Sequence, residues 1–202
     1  MIVFRKNTAN SEIAVWHITE TEAALQQLLG EPIEQFCYKN ATRRLEVLAE
    51  RLLLKELCGE SNFQHMESGK PFLDSGDMRI SFSHTKNFVA LIVSKECEVG
   101  IDIEYPSDRV CRVKERFLSS VEQSTFDDDA KKILLAWCAK EALYKVLNTE
   151  SIDFARQLQV QKFELAQEGE FLVKSEVQCQ RIHKLSYICT DEYYLVWVET
   201  NG

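Results

Sequence analysis

Between Glu98 and Tyr105 the chain alternates without a break. Val99, Ile101, Ile103 and Tyr105 stand on one side; Glu98, Gly100, Asp102 and Glu104 stand on the other. A period of two is met by a β-strand with one apolar face, and Pro106 ends it. Further strand signals surround it. They are Ile2–Arg5, Ile13–Ile18, Arg79–Ser83 with Ile80 and Phe82 on one face, Phe171–Ser175, Leu185–Thr190 and Tyr193–Glu199. The continuous apolar run Phe88–Val93 predicts a central strand.

Two long amphipathic stretches lie between these strands. Ala41–Cys58 places Leu45, Leu48, Leu52, Leu53 and Leu57 at helical spacing and stops at Gly59. Ala130–Leu147 follows the capping run Asp127-Asp128-Asp129. A shorter helix is expected over Thr19–Leu29, ended by Gly30, and another over Arg109–Leu118 with Val121–Phe126 continuing it. Strands, a long helix and more strands thus occur twice. The order predicts an α+β fold, pseudo-duplicated, with two similar halves that each carry a small antiparallel sheet and a long helix. At ~150 residues per domain a 202-residue chain makes one large domain or two small ones. The expected division is 1–95 and 96–202, with no linker between halves that pack tightly.

Composition excludes several function classes. The formal charge of −8 argues against a nucleic-acid binder, whose affinity comes largely from phosphate contacts. The seven cysteines, at 37, 58, 97, 111, 138, 179 and 189, form no C-x-x-C pair, so no zinc or redox motif is indicated. They read as buried free thiols in a reducing compartment. Met1–Asn10 has no apolar core of a signal peptide, and no apolar run approaches the roughly 20 residues of a membrane helix. A cytoplasmic protein with no membrane partner is expected.

Four segments carry candidate chemistry. Asp102 and Glu104 leave one face of one strand, about 6.6 Å apart along it, with Gly100 leaving room for a ligand. Paired carboxylates repel unless a cation or proton intervenes, and oxygen ligands suit Mg²⁺. Trp137, Glu141 and Lys145 share a helix face at i, i+4 and i+8. Read blandly, that is a surface ion pair on an amphipathic helix worth tenths of a kcal/mol. Ser83-His84 at a strand end offers a hydroxyl and an imidazole to a phosphate, and Gly69-Lys70-Pro71 presents one lysine on a turn.

Taken in order, Gly-Lys-Pro, Ser-His-Thr, Val-Gly-Ile-Asp-Ile-Glu, Arg-Phe-Leu-Ser-x-x-Glu and Trp-x-x-Lys-Glu-Ala-x-x-Lys resemble the 4′-phosphopantetheinyl transferase superfamily, over about Arg43 to Lys145. Length and an N-terminal half ahead of the motifs are similar to its surfactin-type, single-chain branch. The resemblance implies transfer of the phosphopantetheine arm of coenzyme A to a serine of an apo carrier protein, with release of adenosine 3′,5′-bisphosphate. It implies Mg²⁺, or Mn²⁺ in its place, held by Asp102, Glu104 and Glu141. Glu122 matches the proposed general base. Lys145 matches the lysine that neutralises the pyrophosphate and protonates the leaving group, with Lys140 assisting. Lys70, Pro71, Ser83 and His84 match positions around the nucleotide and its 3′-phosphate. A basic residue of the helix Ala41–Cys58 is expected there too: Arg43, Arg44 and Arg51 compete, with Arg44 and Arg51 preferred.

An acidic carrier is not drawn to a chain of charge −8 by net charge, so a local patch must serve. Arg109, Arg112, Lys114 and Arg116 are expected to meet the carrier's acidic helix. With both halves in one chain, a monomer is expected. A Mg²⁺-dependent nuclease is a competing class, but Glu104 is followed by Tyr105-Pro106 where such nucleases need a lysine. A non-catalytic coenzyme A or carrier binder is the other. It would have no need of Asp102, Glu104, Glu122, Glu141 and Lys145 together.

Overall fold

Both long helices begin on a side chain that accepts from the first turn and end on a left-handed residue. In α2 (Ala41–Cys58), Asn40 accepts from the Thr42 amide and Gly59 closes the helix at φ 77°. In α4 (Ala130–Leu147), Asp129 accepts from the Lys131 and Lys132 amides and Asn148 takes the left-handed position at φ 44°. The computed structural model describes residues 1–30, 38–149, 151–177 and 179–200, so Cys37 lies outside the described residues. The chain divides into two compact units, Met1–Cys97 and Glu98–Gly202.

Unit 1 runs β1 (Ile2–Asn7), β2 (Ser11–His17), α1 (Glu22–Leu29), α2, β3 (Gln64–His65), β4 (Pro71–Phe72), β5 (Arg79–Thr85) and β6 (Phe88–Ser94). The sheet is antiparallel in the order β1-β2-β6-β5. Leu25 and Leu29 of α1 and Leu48, Leu52 and Leu53 of α2 pack with Ala14, Val89 and Leu91 of the sheet. β6 is central and buried along its whole length, as its unbroken apolar run requires.

Unit 2 runs β7 (Glu98–Glu104), a 3₁₀ segment (Arg109–Arg116), α3 (Ser120–Phe126), α4, α5 (Phe154–Gln157), β8 (Leu158–Val160), β9 (Glu168–Val177), β10 (Cys179–Cys189) and β11 (Tyr194–Thr200). Its sheet is antiparallel in the order β7-β11-β10-β9-β8. The core joins Leu135, Ala139, Ala142 and Leu143 of α4 to Val196 and Val198 of β11, and to Phe171 and Tyr187. The fold is α+β. The two sheets differ in strand number and order.

Three sequence expectations are corrected here. Arg109–Arg116 is a 3₁₀ segment, not an α-helix, and α3 does not continue it. Ser119 is extended at ψ 161° and starts a new helix through a capping box with Glu122. Gly100 does not leave room for a ligand: a Cβ there would stand 2.0 Å from the Ala142 carbonyl oxygen and 2.8 Å from Val146 Cγ2. Helix α4 fills that space. The thiols are not uniformly buried either, since Cys97 and Cys138 are buried, Cys58, Cys111 and Cys189 half-buried, and Cys179 exposed.

Candidate functional site

The missing side chain at Gly100 lets α4 lie directly on β7, and Asp102 stands one strand repeat further along the same face. Antiparallel pairing with Val196 of β11 fixes Asp102 in register on β7, the edge strand of the sheet. Asp102 is buried, and its Oδ1 accepts from Lys145 Nζ of α4 at 2.9 Å. The same ammonium donates to the Ile101 carbonyl at 2.7 Å. One turn earlier on the helix, Glu141 meets the same group of charges. Burial pushes its carboxyl up to about 7; Asp102 and Glu104 push the same way, and Lys145 opposes them. The charges of Asp102 and Glu104 on β7 thus reach Glu141 of α4. Cys138 lies beneath them. Burial raises its thiol well above the ordinary range, with the charges of Asp102 and Glu104 and a hydrogen bond to Asp102 adding to the rise.

The donor set is all oxygen, which fits a hard divalent cation; burial chiefly raises the Glu141 carboxyl, and Asp102 and Glu104 add a repulsion that such a cation would relieve. The expected ligand trio is not preassembled, however. Among the described residues no group of three or more His, Cys, Asp or Glu side chains is arranged to hold a metal ion. At Asp102 the Lys145 ammonium supplies a positive charge.

Glu122 and Lys140, expected as base and assisting lysine, form a separate buried pair. Glu122 is 3% exposed and Lys140 0%. They pair at 2.7 Å through Glu122 Oε1, which also accepts from the Val160 amide at 2.8 Å. Glu122 Oε2 accepts from the Ser119 amide at 2.8 Å and from the Ser119 hydroxyl at 2.9 Å. Lys140 Nζ further donates to the carbonyls of Phe117 and Phe154. Burial pulls this ammonium down, and Glu122 opposes the fall. Each group is saturated by the other and by backbone.

A groove of about 540 Å³ opens beside Glu141, with Val113, Arg116, Phe117, Trp137, Ile152 and Phe154 among its lining residues. On the other side of Trp137 and Val113, a second groove of about 280 Å³ reaches Glu104, Tyr105 and Arg109. The 3₁₀ geometry explains this arrangement. Residues three apart eclipse one another, so Val110, Val113 and Arg116 form one ridge and Arg109 and Arg112 another. Lys114 is withdrawn from the expected patch by its ion pair with Asp128.

Residues 98–196, nearly all of unit 2, match the family model of the 4′-phosphopantetheinyl transferase superfamily. Over that unit the chain is similar to this superfamily. Among curated proteins none matches the chain. The transferase motifs that lie before residue 98 fall in unit 1. There His84 is exposed, with Nδ1 3.3 Å from Glu46 Oε1. Arg43 donates to the same Glu46 at 3.2 Å and to Glu50 at 2.9 Å. Arg44 instead turns to Glu22 at 2.9 Å, and Arg51 to Asn62 at 2.9 Å. Arg43 and His84 thus share the Glu46 carboxylate, while the preferred Arg44 and Arg51 reach Glu22 and Asn62. The buried carboxylates Glu46 and Glu50 that hold it went unread in the sequence. Their i+3 and i+7 spacing from Arg43 was the signal that could have shown them. Lys70 closes the β3–β4 turn, its carbonyl accepting from the Met66 amide at 2.9 Å, and Pro71 begins β4. Ser83 is buried on β5.

Proposed function

We propose that this chain moves the 4′-phosphopantetheine arm of coenzyme A onto a serine of an apo carrier protein. The observation that carries the reading is the convergence of Asp102, Glu104, Glu141 and Lys145 inside the family-matched unit. In the reaction the serine oxygen bonds to the phosphorus next to pantetheine. The pyrophosphate bridge breaks, adenosine 3′,5′-bisphosphate leaves with the bridging oxygen, and the serine proton passes to solvent water. A divalent cation held by Asp102, Glu104 and Glu141 would supply charge neutralisation for the pyrophosphate. Lys145 brings a fixed ammonium to the same carboxylates, where it can meet charge developing on the leaving oxygen. The aromatic groove beside Glu141 suits the pantetheine arm, an extended amide chain with an apolar end. Two units in one chain of 202 residues favour the surfactin-type branch.

The test is the intact mass of an apo carrier protein after incubation with this protein, Mg²⁺ and coenzyme A. A gain of one phosphopantetheine arm, abolished by a chelator, is the expected result. No gain on either an acyl or a peptidyl apo carrier overturns the reading. His84 is assigned to the 3′-phosphate. His84→Ala is expected to raise KM for coenzyme A about tenfold with kcat nearly unchanged, and an unchanged KM removes that assignment.

Docking is assigned to Arg109, Arg112 and Arg116, all exposed on the 3₁₀ segment, with the exposed Val113 between them. The joint change Arg109→Glu/Arg112→Glu is expected to raise KM for an acidic carrier about tenfold at low salt and less at high salt, with KM for coenzyme A unmoved. An equal rise for both substrates would place the effect on the fold and not on docking.

A further inference from the structure

Phe117 and Phe154 reach the groove beside Glu141 from separate elements. Phe117 follows the 3₁₀ segment and Phe154 opens α5, with Trp137 of α4 between them. The Trp137 ring meets Phe117 edge-on at 5.1 Å and Phe154 at 6.0 Å. Ring contacts of this kind are worth about 1 kcal/mol each and do not by themselves fix a spacing. One buried side chain does. Lys140 Nζ donates to the Phe117 carbonyl at 2.6 Å and to the Phe154 carbonyl at 3.1 Å. Its remaining proton goes to Glu122, which also holds the Val160 amide of β8 and caps α3 at Ser119. Five segments of unit 2 meet at this single ion pair.

We infer that Glu122 and Lys140 are positioning residues: together they set the spacing of Phe117, Trp137 and Phe154 and so shape the groove that ends on Glu141. The inference rests on the transfer reading for what the groove holds. It replaces the base role that sequence resemblance gave Glu122. A base must bring a lone pair within about 3.2 Å of the proton that it takes. Glu122 is 3% exposed, and both its oxygens are engaged, Oε1 by the Val160 amide and Lys140 and Oε2 by Ser119 and Lys140. Lys140 is 0% exposed and could reach a phosphate only by abandoning two buried carbonyls.

An amide pair separates positioning from proton transfer. Glu122→Gln alone leaves a buried ammonium without its counter-charge, and Lys140→Gln alone leaves a buried carboxylate. Each is expected to lower kcat/KM for coenzyme A about 100-fold, chiefly through KM. In Glu122→Gln/Lys140→Gln the residue-140 amide can donate to both phenylalanine carbonyls, and the residue-122 amide oxygen can accept from Val160. This double variant is expected to recover to within about tenfold of wild type, with an unchanged pH profile. A base at Glu122 requires the reverse, a folded double variant that stays about 10²- to 10⁴-fold down in kcat. That result overturns the inference.

A second readout needs no turnover. In protein labelled with 5-fluorotryptophan, the ¹⁹F resonance of Trp137, assigned by Trp137→Phe, should shift in each single variant and return in the double. A resonance unmoved in both single variants also overturns the inference. Wild type that modifies neither carrier would overturn the transfer reading instead, and the ¹⁹F arm would still decide the positioning role.

Discussion

A single methyl group at position 100 is expected to break the packing of unit 2. In Gly100→Ala the new Cβ would lie 2.0 Å from the Ala142 carbonyl oxygen, 2.8 Å from Val146 Cγ2 and 3.0 Å from the Ala142 carbonyl carbon. Two of these atoms are helix backbone and cannot rotate aside. Either α4 lifts off β7 or the strand bends, and both movements open the core around Ala142 and Leu143. Overpacked cores lose about 1–3 kcal/mol, and a clash with backbone sits at or above the top of that range. At 2–4 °C per kcal/mol, a thermal midpoint lowered by roughly 6–12 °C is expected, with transferase activity lost in parallel. Gly59→Ala is the control. That glycine is left-handed at φ 77° with open space around it, so alanine there should cost about 1 kcal/mol of backbone strain and leave activity intact. Equal midpoints for the two variants would show that α4 does not rest on Gly100.

Local pattern made most of the elements legible. Helix α2 is printed in the leucine spacing between Asn40 and Gly59, and α4 in the run between Asp129 and Asn148. Strand β7 was legible from its alternation, but what covers its polar face was not. Alternation normally marks one solvated face, yet Gly100 and Asp102 are as buried as Ile101 and Ile103. A helix lies over them, and nothing local to residues 98–104 records a helix that begins only at Ala130. The 3₁₀ segment was misread for a related reason. Arg109–Arg116 holds good α-helix formers, and the choice of i+3 bonding is made by the turn at Phe117, whose amide bonds to Lys114. The two short strands β3 and β4 are two residues each, too short for a period to show.

The candidate site shows the same boundary between local and distant information. Glu141 and Lys145 are legible as neighbours on one helix face, but the Lys145 ammonium pairs with Asp102, 43 residues earlier in the chain. Glu122 and Lys140 were given reactive roles because each stands in a motif. Burial, which a motif does not encode, gives them to each other. Arg43 was passed over for Arg44 and Arg51 because a helix offers three arginines and no register against β5. The shared Glu46 carboxylate links Arg43 to His84.

Asp102→Asn is expected to lower turnover about 1,000-fold while leaving unit 2 folded. The substitution keeps shape and keeps an oxygen that can accept from Lys145 Nζ, now 2.9 Å from Asp102 Oδ1. It removes only charge, at the point where strand acids, helix acid and ammonium meet. Asp102→Ala would also leave the Lys145 ammonium without that acceptor, so its losses could come from packing and are less informative. Three measurements on Asp102→Asn separate the possibilities. The thermal midpoint should stay within a few degrees of wild type, because no buried charge is left opposite an unpaired group of the same sign. Mg²⁺-dependent binding of coenzyme A, followed by calorimetry, should weaken at least tenfold, because one of three oxygen anions is gone. Mass transfer to the carrier should fall further than binding, because an electrostatic contribution to the reacting pyrophosphate is felt most where charge develops. A variant that keeps wild-type turnover would remove Asp102 from the reaction. The convergence of Glu104, Glu141 and Lys145 around it would then be an ion-pair network that holds α4 on β7 and nothing more.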